Sequence, residues 1–185
     1  MTTSKYIKTG RLTALISFLS GTGIFLLFYL TSEDEFLFIG YAFIIFMLIL
    51  NTGVFISILI KAGKDKNKSN KFIKTLGLML LNIPVMLVYC WIAFILLGTM
   101  RIKFTNSTPN TLKDMNIVGC GGGYLDKLEA GESETVWVKI TGDCAIFIDY
   151  LQDRQRKKER VAGYVTSGMG KKIEHDIDGQ DNDIL

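Results

Sequence analysis

Histidine is almost absent from this chain. The single copy, His175, has no serine or cysteine placed for it by any nucleophile motif, so triad-type chemistry finds no footing and no enzyme activity is expected. Thiols are scarce too, at Cys90, Cys120 and Cys144. Two thiols without a nearby third and fourth ligand do not make a metal site, and no metal or cofactor is expected. Charge is missing in a different way. Leu12 to Ser32, Phe36 to Ile60 and Thr75 to Met100 hold no Asp, Glu, Lys, Arg or His over 21, 25 and 26 residues. Proton and ion pathways usually show themselves by such groups inside a span, which weighs against conduction.

What is present is hydrophobicity, gathered into those three runs. The chain is 49% hydrophobic yet still 21% charged, so the two must be segregated along it. Roughly 20 helical residues cross the hydrocarbon core of a bilayer. A buried helix of a soluble protein would carry a polar stripe, and none of these runs does. The spans are therefore set at about 12–32, 36–60 and 75–100, within a transmembrane region 1–100. A cleaved signal peptide is the other reading of the first run, after Lys5, Lys8 and Arg11. Its apolar stretch is too long and lacks a small-x-small cleavage site, so it is read as a retained span.

Basic residues then set the orientation. The N-terminal tail has three bases and no acid, the loop "EDE" three acids, and the loop 61–74, "KAGKDKNKSNKFIK", six lysines against Asp65. Short loops rich in Lys and Arg stay in the cytoplasm. That puts the N-terminus and the 61–74 loop inside and everything after Met100 outside the inner (plasma) membrane. The lysine loop lacks the interleaved aromatics on which bases would stack, so no nucleic acid is expected; attraction to anionic membrane lipid follows from its position.

Within the spans, Asn51 and Asn82 fall at a similar depth on antiparallel neighbours, and an interhelical hydrogen bond between them is expected. Pro84 removes the helical donor for the Leu80 carbonyl, which predicts a bend near Asn82.

Beyond Arg101 the pattern changes to alternation. "RIKF", "TVWVKI" and "CAIFIDY" place Ile102 with Phe104, Val136 with Val138 and Ile140, and Cys144 with Ile146, Ile148 and Tyr150. Period two of this kind predicts half-buried strands, with further strands at 158–166 and 171–177. Turn signals separate them at 106–110, 119–123, 130–133 and 141–143, the last read as a tight hairpin at Gly142 and Asp143. Five to seven short strands predict a small antiparallel β-sandwich of immunoglobulin-like shape over 101–178, followed by an acidic flexible tail, 179–185.

In an exported domain Cys120 and Cys144 are expected to form a disulfide. His175 shares a strand face with Ile173 and Ile177, which makes it a packed residue. "GYVTSGMGKK" fails as a phosphate loop because Met169 stands where the lysine should be, and "DIDGQDND" lacks the closing glutamate of a calcium loop. Asn106, Ser107 and Thr108 match a glycosylation sequon. Two features suit a partner: Trp137, on the more polar strand face, and the basic run Arg154, Arg156, Lys157, Lys158 and Arg160, read as a solvated hairpin tip.

These observations together predict a membrane-anchored protein displaying a small β-domain to a protein partner in the envelope, as an immunity or inhibitor protein or an accessory subunit. A small transporter or channel component, assembled as a homo-oligomer, is the competing expectation.

Overall fold

The computed structural model describes residues 3–64 and 69–178; the expected acidic tail 179–185 lies outside them. Each charge-free run is helical over most of its length. Helix α1 (Thr3–Thr31) takes in the basic N-terminal residues. Ser32 then turns left-handed at φ 59°, and its amide donates to the Phe28 carbonyl to close the last turn. Helix α2 (Asp34–Lys64) opens on Asp34 and Glu35 and ends with Lys61 and Lys64, so charges of the favourable sign meet both ends of its dipole. The third run is two helices, α3 (Ser69–Leu80) and α4 (Asn82–Leu97). Their helical pattern breaks at Leu81, where the proline three residues on leaves the Leu80 carbonyl without its donor.

These stretches of 28, 31 and 28 residues are long and apolar enough to cross a membrane. Only 11%, 11% and 6% of their apolar windows is buried, so side chains such as Phe38, Ile49 and Trp91 present bare hydrocarbon outward. Water cannot solvate that much apolar surface; lipid can, and the backbone polar groups are already satisfied within each helix.

The chain divides into two compact units, Met1–Ile92 and Ala93–Leu185. In the first, Ala14, Ile58, Phe72, Leu76 and Met79 form a buried cluster. Gly10 sits against it, and a Cβ there would lie 2.5 Å from Ile58 Cδ1 and 2.8 Å from Thr75 Cγ2. A small residue is what allows α1 this close to α2 and α3. Tyr89 stacks on Phe25 with ring centroids 4.5 Å apart, and its hydroxyl shares a 3.0 Å hydrogen bond with Thr22.

The second unit has seven strands among the described residues: β1 (Thr99–Asn106), β2 (Leu112–Val118), β3 (Gly123–Leu128), β4 (Ser133–Lys139), β5 (Cys144–Gln152), β6 (Gln155–Val165) and β7 (Lys172–Ile177). They form a three-stranded sheet, β4-β1-β7, and a four-stranded sheet, β3-β2-β5-β6. Ile102, Phe104 and Val138 of the first sheet and Met115, Ile146, Ile148 and Tyr150 of the second share one buried cluster. Burying each such side chain contributes on the order of 2 kcal/mol.

Four expectations are corrected here. The sheets are not wholly antiparallel: β1 pairs β7 in parallel, because the last strand returns to the three-stranded sheet in the direction of the first. The third span ends at Leu97, and Met100 is a buried residue of β1. Gly142 and Asp143 do not make a hairpin, since β4 and β5 belong to different sheets and the link crosses between them. The two-residue hairpin is at Asp153 and Arg154, whose φ values of 50° and 66° suit the twist of the flanking strands, so the basic run is mostly strand β6 rather than a loop tip.

Candidate functional site: the two outer faces of the β-unit

Strand alternation sends every second residue of each sheet outward, and those outward rows are where this unit meets its surroundings. On the three-stranded sheet the register sets Thr99 beside Lys139, then Arg101 between Trp137 and Lys172, then Lys103 between Thr135 and Glu174, then Thr105 between Ser133 and Asp176. The Arg101 guanidinium lies over the Trp137 ring, 5.7 Å from its centroid, and is itself almost wholly buried. Trp137 is 47% exposed, which answers the question that its strand position alone leaves open. Lys103 pairs with Glu174 at 3.6 Å. Beside Trp137, a shallow groove of about 520 Å³ is lined by Phe94, Ile95, Gly98, Thr99, Lys139 and Ile140.

The outer face of the four-stranded sheet centres on Phe147. Its register neighbours are Val118 and Arg160. Lys158 stands 4.6 Å and Arg160 5.8 Å from the ring centroid, within cation–π range. The basic run is thus split by strand geometry. Arg156, Lys158 and Arg160 share the parity that faces outward, Lys157 has the opposite parity beside Glu159, and Arg154 sits in the turn. Val118 and Tyr124 are exposed on the same sheet. The Tyr124 phenol is held above its ordinary pKa by local desolvation first, and then by the carboxylates of Asp114 and Asp126.

Between the sheets lies a polar cluster. Glu159 is 2% exposed and accepts a short hydrogen bond from the Tyr150 hydroxyl, while its other oxygen is 3.1 Å from His175 Nε2. The His175 ring meets Phe104 edge-on at 5.9 Å. Glu159 pairs with buried Ile148 in a stretch of regular register, so strand alternation itself turns inward a glutamate that reads as part of a solvated run. The group carries no serine or cysteine nucleophile. Among the described residues no cluster of His, Cys, Asp and Glu could hold a metal ion.

Cys120 and Cys144 form a disulfide, with Cα atoms 5.4 Å apart. Close approach is permitted by Gly119, at φ 97°, where a Cβ would fall 1.8 Å from the Ala145 carbonyl oxygen. Cys90 stays free. Asn106 is wholly buried and its amide nitrogen donates to the carbonyls of Asn110 and Leu128, so the sequon marks a turn-stabilising side chain, not a glycan acceptor in the folded unit.

In the helical unit, Asn51 and Asn82 are not joined to each other. Asn51 Nδ2 donates to Ser17 Oγ at 2.9 Å and to the Met47 carbonyl, and Asn82 Nδ2 donates to the Ala14 carbonyl at 2.9 Å. Both reach α1, one helical turn apart, because α1 packs alongside both partners and offers the nearer acceptors. Asn51 Oδ1 is buried without a hydrogen-bond partner among the described residues.

No protein-family model matches the chain, and no curated protein matches it. An NMR structure of a protein from Eubacterium rectale is similar over 45% of this chain and 82% of its own length, with 14% identity and a TM-score of 0.34, a likeness too slight to define a fold.

Proposed function

We propose that this is an inner-membrane protein whose three helices anchor a β-unit displayed outside the cytoplasm, where the β-unit binds a protein partner. The observation that carries the reading is the Cys120–Cys144 disulfide in the unit that charge bias also assigns to the outside; disulfides persist in oxidising compartments and are rare in the cytosol. The binding face we assign is the Phe147 surface of the four-stranded sheet. An aromatic ring with Arg160 and Lys158 close to it, and with Val118 and Tyr124 exposed on the same face, groups the aromatic and arginine side chains that interfaces favour, with charge beside them for a polar rim. We read the β-unit as immunoglobulin-like on its seven strands in two sheets and on the β2–β5 neighbours, the remaining strand order, β3 beside β2 and β6 beside β5 in one sheet and β4-β1-β7 in the other, departing from that fold. Two roles fit: an immunity or inhibitor protein for an envelope toxin, and an accessory subunit of an envelope complex. A gene for a toxin beside this one would favour the first.

The test is thiol labelling of intact and permeabilised cells with a membrane-impermeant reagent, on wild type and on Ser69→Cys. Labelling of Cys120 and Cys144 from outside only after reduction, with the Ser69→Cys thiol reached only after permeabilisation, is the expected result. Access to that thiol from outside would place the β-unit in the cytoplasm and end the envelope reading. A photo-crosslinking side chain at Phe147 should then capture one partner, and Lys158→Glu with Arg160→Glu should abolish the capture.

A second reading, a homo-oligomeric transporter or channel component, draws on Asn51 Oδ1, a polar atom buried among the spans with no hydrogen-bond partner among the described residues. Ion flux in proteoliposomes that vanishes on Asn51→Leu would favour it.

A further inference from the structure

The geometry points to Trp137 as a membrane-interface anchor rather than a protein-binding residue: the groove beside it seats a phospholipid at headgroup level, with the phosphate against Lys139 and with Lys172, one row further along the sheet, adding to the attraction for anionic headgroups. The inference rests on the reading that the apolar helices span a bilayer. It does not depend on which side the β-unit occupies.

Three observations within the second unit converge. First, the groove has two kinds of wall. Phe94 and Ile95 belong to the last turn of α4, where the apolar helix ends, and Thr99, Trp137 and Lys139 belong to the sheet that begins two residues later. A spanning helix ends where hydrocarbon gives way to headgroups, so a side chain lining the same groove as Phe94 and Ile95 stands at that depth. Second, the side chains there are of the types that favour this depth. Trp has an amphipathic ring that settles at the headgroup level, and Lys extends its ammonium toward phosphate while its stem lies along apolar surface. Trp137 is 47% exposed and Phe94 67% exposed, an apolar pair that an aqueous surface would not favour.

Third, charge is sorted along the outer face of the three-stranded sheet. The two rows nearest α4 contain Lys139, Arg101 and Lys172 and no acid. The next row holds the Lys103–Glu174 ion pair, and the row after it ends in Asp176. A face that docked a protein would have no reason to grade its charge with distance from the helix. A face lying against phosphates does, since anionic headgroups attract the near rows and repel acids placed there.

The chain has two tryptophans, Trp91 and Trp137, which allows a depth measurement on the full-length protein in liposomes. In Trp91→Phe the sole fluorophore is Trp137, and lipids labelled with a quencher near the headgroup should quench it at least about two-fold more than lipids labelled at mid-chain, with iodide in the water weakly effective. In Trp137→Phe the sole fluorophore is Trp91, about 9 Å along α4 from its Leu97 end at 1.5 Å per residue, and the mid-chain label should be the stronger quencher. Adding phosphatidylglycerol to phosphatidylcholine should raise the headgroup-label quenching of Trp137, and Lys139→Gln with Lys172→Gln should remove that rise. Trp137 quenched by iodide as freely as a small indole, while Trp91 responds to lipid, would overturn the anchor alone and leave Trp137 a water-exposed residue of the three-stranded sheet. Trp91 untouched by either lipid label would overturn the spanning reading itself. Equal quenching of Trp137 in both lipid compositions would overturn the phosphate seat.

Discussion

Removing the disulfide is the perturbation that the structure values most directly. Cys120 and Cys144 are 24 residues apart, and closing a loop of that size restricts the unfolded chain by about 3.5 kcal/mol at 25 °C. Both cysteines also pack against the core, so the cleanest replacement is serine at each, with reduced wild type as the control for packing. For a unit of this size, about 3.5 kcal/mol corresponds to a fall in Tm of roughly 14–28 °C. In urea, at a slope of about 1 kcal/mol/M, the midpoint should move by roughly 3.5 M. The assay is equilibrium unfolding of full-length protein in mild detergent, followed by Trp137 fluorescence in a Trp91→Phe background. Reduced wild type and the double serine variant should shift together. A midpoint that moves by less than about 1 M in both would refute the reasoning. It would mean that β2 and β5, already neighbours at Ile117–Ile148 and Val118–Phe147, hold the loop closed in the unfolded ensemble without the bond.

Other consequences are equally specific. Gly119→Ala places a methyl into the Ala145 carbonyl at a left-handed backbone position; a loss of at least about 2 kcal/mol is expected, with a smaller fraction of Cys120–Cys144 oxidised on non-reducing gels. Asn51→Leu and Asn82→Leu should each cost about 0.6–2 kcal/mol of bundle stability, and because their acceptors are separate the double variant should be additive; a coupling term above about 0.5 kcal/mol would restore a direct Asn51–Asn82 bond. His175→Ala takes a partner from buried Glu159 and should destabilise the β-unit by about 1–3 kcal/mol in urea titration, with His175→Gln recovering part of it. Lys127 raises no comparable stake: it lowers the Glu129 pKa through a hydrogen bond and its charge, and its own is raised in return. That pair therefore favours the folded state above the unfolded carboxylate pKa and below the unfolded lysine pKa, losing its effect as pH falls through the depressed Glu129 value. Both side chains are well exposed, so Glu129→Gln should leave Tm unchanged at physiological salt.

Features that depend on composition over a window are legible in the amino-acid order. Three charge-free runs had to be helices in lipid, since only a helix satisfies its own backbone within one segment. The strands β1, β4, β5 and β7 were legible because their buried residues keep period two, and the break at Leu81 was legible because a proline lacks its donor. Strands β2 and β3 were not. Their buried residues are Leu112, Met115 and Ile117, then Leu125 and Leu128, and the spacing of three arises at Asp114, where a left-handed residue and a register shift carry the chain across without alternation. Whatever depends on which strand lies beside which was decided only by tertiary structure: the parallel β1–β7 pair, the splitting of the basic run across a strand, the turning inward of Glu159, and the preference of Asn51 and Asn82 for α1 over each other. Neighbours distant in the chain select those arrangements through packing and hydrogen-bond geometry, and local pattern carries no record of them. The placing of Trp137 beside the end of α4 belongs with these. Its exposure comes from alternation, but its company comes from the antiparallel register that sets Lys139 against Thr99.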